Sequence, residues 1–159
     1  MSVINTAPMN RLPVKTHVGQ YNETYVKNAI NHELDRDGQV FFLYNRVETI
    51  YEFAAELQKI VPNARIAVAH GQMDAKTLEG IMLEYAEHKY DILLCTTIIE
   101  SGLDIPNANT MIIYDADRFG LAQLYQLRGR VGRSDRQAYC YCFYKNHQKL
   151  TPEALQRLN

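Results

Sequence analysis

The chain has 159 residues, 17 Lys plus Arg against 18 Asp plus Glu, and 47% hydrophobic residues. That balance excludes a protein drawn to nucleic acid or membrane by its bulk field, so any anion site must be local. The length suits one domain with a full core, no window approaches the ~18 apolar residues of a membrane span, and the start MSVINTAPMNRLPVK lacks the apolar centre of a signal peptide, which predicts a cytosolic chain.

In chain order, VKTHV is a short candidate strand after a Pro-bearing leader. NETYVKNAINHELDRDG opens on a capping Asn22, carries Val26, Ala29, Ile30 and Leu34 on one face, and closes at Gly38, which predicts a helix. QVFFLYN reads as a buried strand, and VETIYEFAAELQKIVP as a helix with Ile50, Phe53, Ala54, Leu57 and Val61 on its stripe and Pro62 beyond its end. ARIAVAH is the next strand. Asp74 caps a helix that uses Leu78, Ile81, Met82 and Tyr85, and DILLC, TMIIY and AYCYCFY are further strands. The alternation predicts an α/β domain, a mainly parallel sheet flanked by helices, with any ligand at the carboxyl ends of the strands. Cys95, Cys140 and Cys142 each lie inside an apolar run and not at metal-ligand spacing, so buried thiols and no metal site are expected.

The residues with binding chemistry fall at those strand ends. VFFLY runs into Asn45 and Arg46, IAVA into His70 and Gly71, and DILLC into Thr96 and Thr97. Each junction supplies a donor where side chains and free amides can grip phosphate oxygens. One junction alone reads as a turn or cap; three at equivalent positions point to a site. Thr97 to Glu100 also fits a capping box that would start a helix and turn its amides toward an anion.

Further along, LAQLYQLRGRVGR at about 100° per residue places Gln126, Arg130 and Arg133 at i, i+4 and i+7, away from the apolar stripe Leu124, Leu127 and Val131, with Arg128 elsewhere. The two glycines in this helix would each cost roughly 1 kcal/mol relative to alanine, so something approaches the backbone closely there. Paired arginines on one rigid face suit a polyphosphate, as an arginine finger does on a transferred phosphoryl group. Yet the chain has no G-x-x-x-x-G-K-[ST] phosphate loop, and YDAD, Tyr114 to Asp117, reads as a turn and not as a magnesium site. The chemistry legible here is half of an active site.

QLRGRVGR resembles motif VI of superfamily 2 helicases, TTIIESGLDIP their motif V, QVFFLYNRVETI their motif IV, and AHGQMD the segment between motifs IV and V. Through MSVINTAP, FFLYNRVE and DADRFGLAQLYQLRGRVGRS the chain most resembles the bacterial transcription-repair coupling factors, in the second RecA-like lobe of their motor. The resemblance implies a RecA-like three-layer fold over residues 13–146, an interlobe leader over 1–12 with Met1 an added start, and a helical extension that begins and stops within 147–159. It implies that Arg130 and Arg133 reach the γ-phosphate of ATP, that Gln126 orders the cleft, and that Gly102 and Asp104 face the nucleotide. Thr96, Thr97, Asn45, Arg46, His70 and Gly71 would line a track for double-stranded DNA. ATP and Mg2+ would be held mainly by a first RecA-like lobe outside this chain, leaving the chain alone without bound nucleotide and without turnover. RNA polymerase and excision-repair proteins would be met through other domains of a cytoplasmic bacterial parent, with no membrane role. The translocation hairpin of such motors has no counterpart here. Two other readings stand beside this one: the matching lobe of a replication-fork-reversal helicase, and a non-catalytic α/β module whose arginine face docks a phosphorylated or acidic partner.

Overall fold

The computed structural model describes residues 15–96, 108–114 and 137–144. Six strands, β1 (Lys15–Gln20), β2 (Gln39–Leu43), β3 (Ile66–Ala69), β4 (Ile92–Cys95), β5 (Ala108–Ile113) and β6 (Tyr139–Tyr144), form one sheet in the order β1-β6-β5-β2-β4-β3. Every pairing is parallel, as the alternation of strand and helix requires. β2 lies at the centre, and all five of its residues are buried. Its side chains alternate: Val40 and Phe42 enter one core, Phe41 and Leu43 the other. A strand packed on both faces therefore reads as an unbroken apolar run.

Helices α1 (Glu23–Asp35) and α2 (Ile50–Ile60) cover the Phe42 face; α3 (Ala75–Ala86) covers the Phe41 face. α1 and α2 carry the chain one way along the sheet and α3 carries it back on the opposite face, so all three crossovers share one hand. Burying Ile30, Ile50 and Leu57 contributes about 1.5–3 kcal/mol each. Truncating Phe42 to alanine would remove a fully buried ring between α2 and β2, at a cost of about 3–5 kcal/mol. The three cysteines are buried, as expected, and none is in a disulfide; burial pushes the Cys95 thiol above its ordinary range.

Two of the caps read from the sequence are present: Tyr25 N–H donates to Asn22 Oδ1 at 3.1 Å, and Thr77 N–H to Asp74 Oδ1 at 2.7 Å; the Thr97–Glu100 capping box lies outside the described residues. The second helix differs from its expected form. It starts with a 3-10 turn over Val47–Thr49, its cap Thr49 bonds no helix amide, and Thr49 Oγ1 instead pairs with Tyr44 Oη at 2.6 Å.

The end of α1 also differs. Gly38 N–H bonds Glu33 O at 2.9 Å and Asp37 N–H bonds Leu34 O at 3.0 Å, a Schellman closure in which the left-handed residue is Asp37, at φ 66°. Gly38 is needed for a different reason: a Cβ there would run into the carboxylate of Glu33. That carboxylate is fully buried. It accepts from Arg36 Nε at 2.8 Å, from Arg36 Nη2 at 2.7 Å and from Thr110 Oγ1 at 2.5 Å, while Arg36 Nη2 also donates to Gln137 O at 2.6 Å. The guanidinium lies over the Tyr139 ring, 5.4 Å from its centroid. One ion pair thus ties the end of α1 to the amino ends of β5 and β6. Nearby, Gln39 donates to Tyr85 O and Tyr90 O, and Tyr85 Oη donates to Val40 O at 2.7 Å.

Candidate functional site

At the opposite edge the three sequence-predicted junctions come together. β2, β4 and β3 are neighbours, with Leu43 in register with Cys95 and Cys95 with Ala69. The ladder runs one residue further, Tyr44 N–H donating to Cys95 O at 2.7 Å and Thr96 N–H to Ala69 O at 3.2 Å. Asn45 with Arg46, Thr96, and His70 with Gly71 therefore leave the sheet side by side. The register of a parallel sheet creates this row, since strands of matched length end together.

The groups in the row differ in how they are held. Thr96 is 2% exposed, and its Oγ1 is, among the described residues, a buried polar side-chain atom without a hydrogen-bond partner. Such a hydroxyl is costly unless something satisfies it. His70 is half-buried and Gly71 exposed; Gln72 N–H donates to His70 Nδ1 at 3.2 Å, and His70 Nε2 lies 3.1 Å from Tyr51 Oη. Asn45 is exposed and Arg46 half-buried. Beside Arg46, a cleft of about 530 Å³ opens between α2 and the end of β5, floored by Tyr44, Phe53 and Tyr114 and rimmed by Arg46, Glu52 and Lys59. Its floor is an aromatic cluster, with the Tyr44 and Phe53 rings stacked at 4.3 Å and Phe53 5.1 Å from Tyr114. Tyr21 packs on the same rings, and burial, with Glu23 nearby, pushes its phenol above the ordinary range.

Thr97, Gly102, Asp104, Gln126, Arg128, Arg130 and Arg133 lie outside the described residues. Thr96 and Tyr114, the described residues that precede 97–107 and 115–136, stand at the carboxyl edge. Tyr51 escaped the sequence reading. It lies between two stripe positions, Ile50 and Phe53, and only its contact with a residue 19 positions away marks it. Among the described residues no group of three or more His, Cys, Asp or Glu could hold a metal ion, and no helix is long and apolar enough to cross a membrane.

Residues 23–135 match the helicase conserved C-terminal domain. Over 158 residues, 99% of its length, the chain is 56% identical to the transcription-repair-coupling factor of Staphylococcus epidermidis and 57% identical to that of Staphylococcus aureus. It spans 14% of the length of each of these relatives. Among solved structures it is similar to RecG bound to a three-way DNA junction, with a TM-score of 0.79 and 39% identity over 95% of this chain and 20% of that one. The resemblance to coupling factors read from the motifs is borne out, as is the α/β RecA-like architecture. With its all-parallel sheet, its two helical faces and the match over residues 23–135, the chain belongs to the helicase conserved C-terminal domain family.

Proposed function

We propose that this chain is the second motor lobe, residues 13–146, of an ATP-dependent double-stranded DNA translocase of the transcription-repair-coupling kind. The observation that carries this is the row of Asn45, Arg46, Thr96, His70 and Gly71 at the ends of three adjacent strands. A translocase must hold one backbone loosely and without reading bases, and hydroxyls, amides and a few cations do so better than a dense basic patch. Thr97, next after the buried Thr96, faces a DNA phosphate in this reading.

The nucleotide side rests on the resemblance of QLRGRVGR to motif VI and of TTIIESGLDIP to motif V. In this reading Arg130 and Arg133 approach the γ-phosphate of an ATP held by a first RecA-like lobe, Gln126 orders the cleft, and Gly102 and Asp104 face the nucleotide, Asp104 at the ribose. Bound ATP with its Mg2+ supplies phosphoryl transfer; this lobe's own part is to place two guanidiniums where negative charge develops and to move with the DNA as the cleft closes. The greater identity to coupling factors than to RecG favours a parent that displaces stalled RNA polymerase and recruits excision-repair proteins through its other domains, in the bacterial cytoplasm.

The test compares ATP turnover of the intact motor with and without duplex DNA. Thr97→Ala should reduce the DNA-stimulated rate more than the basal rate, and the 159-residue chain alone should bind ATP poorly and show background turnover. An equal loss of both rates removes Thr97 from the DNA track. Magnesium-dependent turnover by the chain alone sinks the half-site reading.

A further inference from the structure

Tyr51 stands in the first turn of α2, beside the strand-end row, and is 58% exposed while Ile50 next to it is fully buried. Its hydroxyl is nonetheless fixed. The rings of Tyr51 and His70 meet edge to face, 5.5 Å between centroids at 86°, and Tyr51 Oη lies 3.1 Å from His70 Nε2. The direction of that bond follows from the other ring nitrogen. His70 Nδ1 accepts the Gln72 N–H at 3.2 Å, so in the neutral ring the proton sits on Nε2, and Nε2–H donates to Tyr51 Oη. The phenol oxygen uses a lone pair and keeps its own hydrogen for an outside acceptor.

We infer that Tyr51 is a DNA-contacting residue: its hydroxyl, held by His70, donates to a phosphate oxygen of the tracked strand while its exposed ring packs on the adjacent deoxyribose. This rests on the DNA-track reading above and extends it by one residue. Two features favour a DNA backbone as the occupant. Tyr51 is joined by a hydrogen bond to His70, itself in the row. Asn45 and Arg46 lie only a short 3-10 turn before it. The nearby acids Glu48 and Glu52 oppose an anion, so the contact proposed is a neutral donor with a ring face and not a charge pair. In this arrangement His70 is a positioning residue for Tyr51, through the tautomer that Gln72 imposes.

Binding of the intact motor to a labelled duplex, measured by anisotropy across a salt series, tests the inference. A neutral contact releases no counterion, whereas removing a cation from a phosphate lowers the salt slope by about one. Tyr51→Ala should weaken binding roughly tenfold at every salt concentration with the slope unchanged, and Tyr51→Phe, which keeps the ring, about threefold. Arg46→Ala should weaken binding and also lower the slope. Thermal melting shows that each variant is folded, as expected for an exposed side chain. If Tyr51→Ala binds as tightly as wild type while Arg46→Ala binds more weakly, Tyr51 lies off the track and the inference is overturned with the DNA reading intact. A slope change in Tyr51→Ala overturns it too, because the effect then runs through displaced cations. No duplex binding by the wild-type motor overturns the functional reading itself.

Discussion

The two edges of the sheet use polar residues in opposite ways. At the amino edge, Glu33, Arg36 and Thr110 close on one another, Gln39 donates to two carbonyls, and Asp91 is held by Arg65 through both side chain and backbone. At the carboxyl edge, Thr96 has a buried hydroxyl with no partner among the described residues, His70 is fixed by an amide and an exposed phenol, and Arg46 borders an open cleft. The first edge is satisfied within the fold. The second holds the groups that the proposed DNA backbone would meet. In a parallel sheet both edges are built from the same strands, so the division has to come from the residues placed just before and just after each strand. Substitutions at the two edges should therefore separate: loss of stability at one, loss of function at the other.

The largest effect is expected on the proposed nucleotide side, at arginines outside the described residues. In the intact motor, Arg130→Ala or Arg133→Ala should reduce ATP turnover by on the order of 10³, with nucleotide affinity and melting temperature far less affected. Arg128, on another face of the predicted helix, should not behave this way; its removal should disturb packing or DNA coupling. Steady-state turnover, nucleotide affinity and melting of all three variants decide the matter. Equal damage from Arg128→Ala would remove the face assignment.

Next is Arg36→Ala at the amino edge. It leaves the Glu33 carboxylate buried with Thr110 as its remaining side-chain donor. Removing one partner of a buried pair costs about 3–5 kcal/mol, and because a quarter of the Arg36 side chain is exposed the lower end, about 3 kcal/mol, is expected. Denaturant unfolding measures it. DNA-stimulated turnover by the folded fraction should match wild type; a specific loss of turnover would mean that the two edges are not independent.

Thr96→Val sharpens the contrast within one residue. Valine has nearly the same shape and removes the unpartnered hydroxyl, so stability should stay level or rise by up to about 1 kcal/mol. If that hydroxyl serves the DNA side, the same substitution should reduce DNA-stimulated turnover. A stability loss without a functional one would show that Thr96 belongs to the core alone.

What could be read from the sequence follows from the range of the interactions. Caps at Asn22 and Asp74 depend on residues three positions away, and five of the six strands, all but the polar β1, on runs of apolar residues, so both were legible. The strand-end row was legible because each junction is local, and the parallel sheet then aligned the three. Glu33 was not. Its partner Thr110 is 77 positions away and Arg36 reaches Gln137 across 101, so no local pattern separates a buried Glu33 from the exposed acids of α1. Gly38 shows the same limit: its position after a helix suggests the left-handed cap, but Asp37 takes that conformation and Gly38 makes room for Glu33. Tyr51 was missed because its meaning depends on His70 in another strand-end loop.

The smallest effect is a pH dependence that belongs to the amino edge. Burial pushes the Asp91 carboxyl up, but bonds from the Arg65 side chain and backbone, with the charges of Arg65 and His88, outweigh it and hold the group below its usual range. A carboxyl whose value is lowered by folding stabilises fully above its unfolded value, about 4, and that contribution is lost as the pH falls through the folded value. Arg65 is more than half exposed, so solvent and salt screen the pair and the contribution is modest. Asp91→Asn keeps an acceptor for Arg65 but removes the charge. The melting temperature of the variant should lie below wild type at pH 7, and the gap should close as the pH drops from about 5 to about 3. Asp74, also held low by its bonds to Thr77, is present in both proteins and cancels from the difference. A gap that stays constant over that range would assign the loss to altered hydrogen bonding at the start of β4 and not to ionisation. A matching change in DNA affinity would break the separation of the two edges, since Asp91 and Thr96 stand at opposite ends of the same strand.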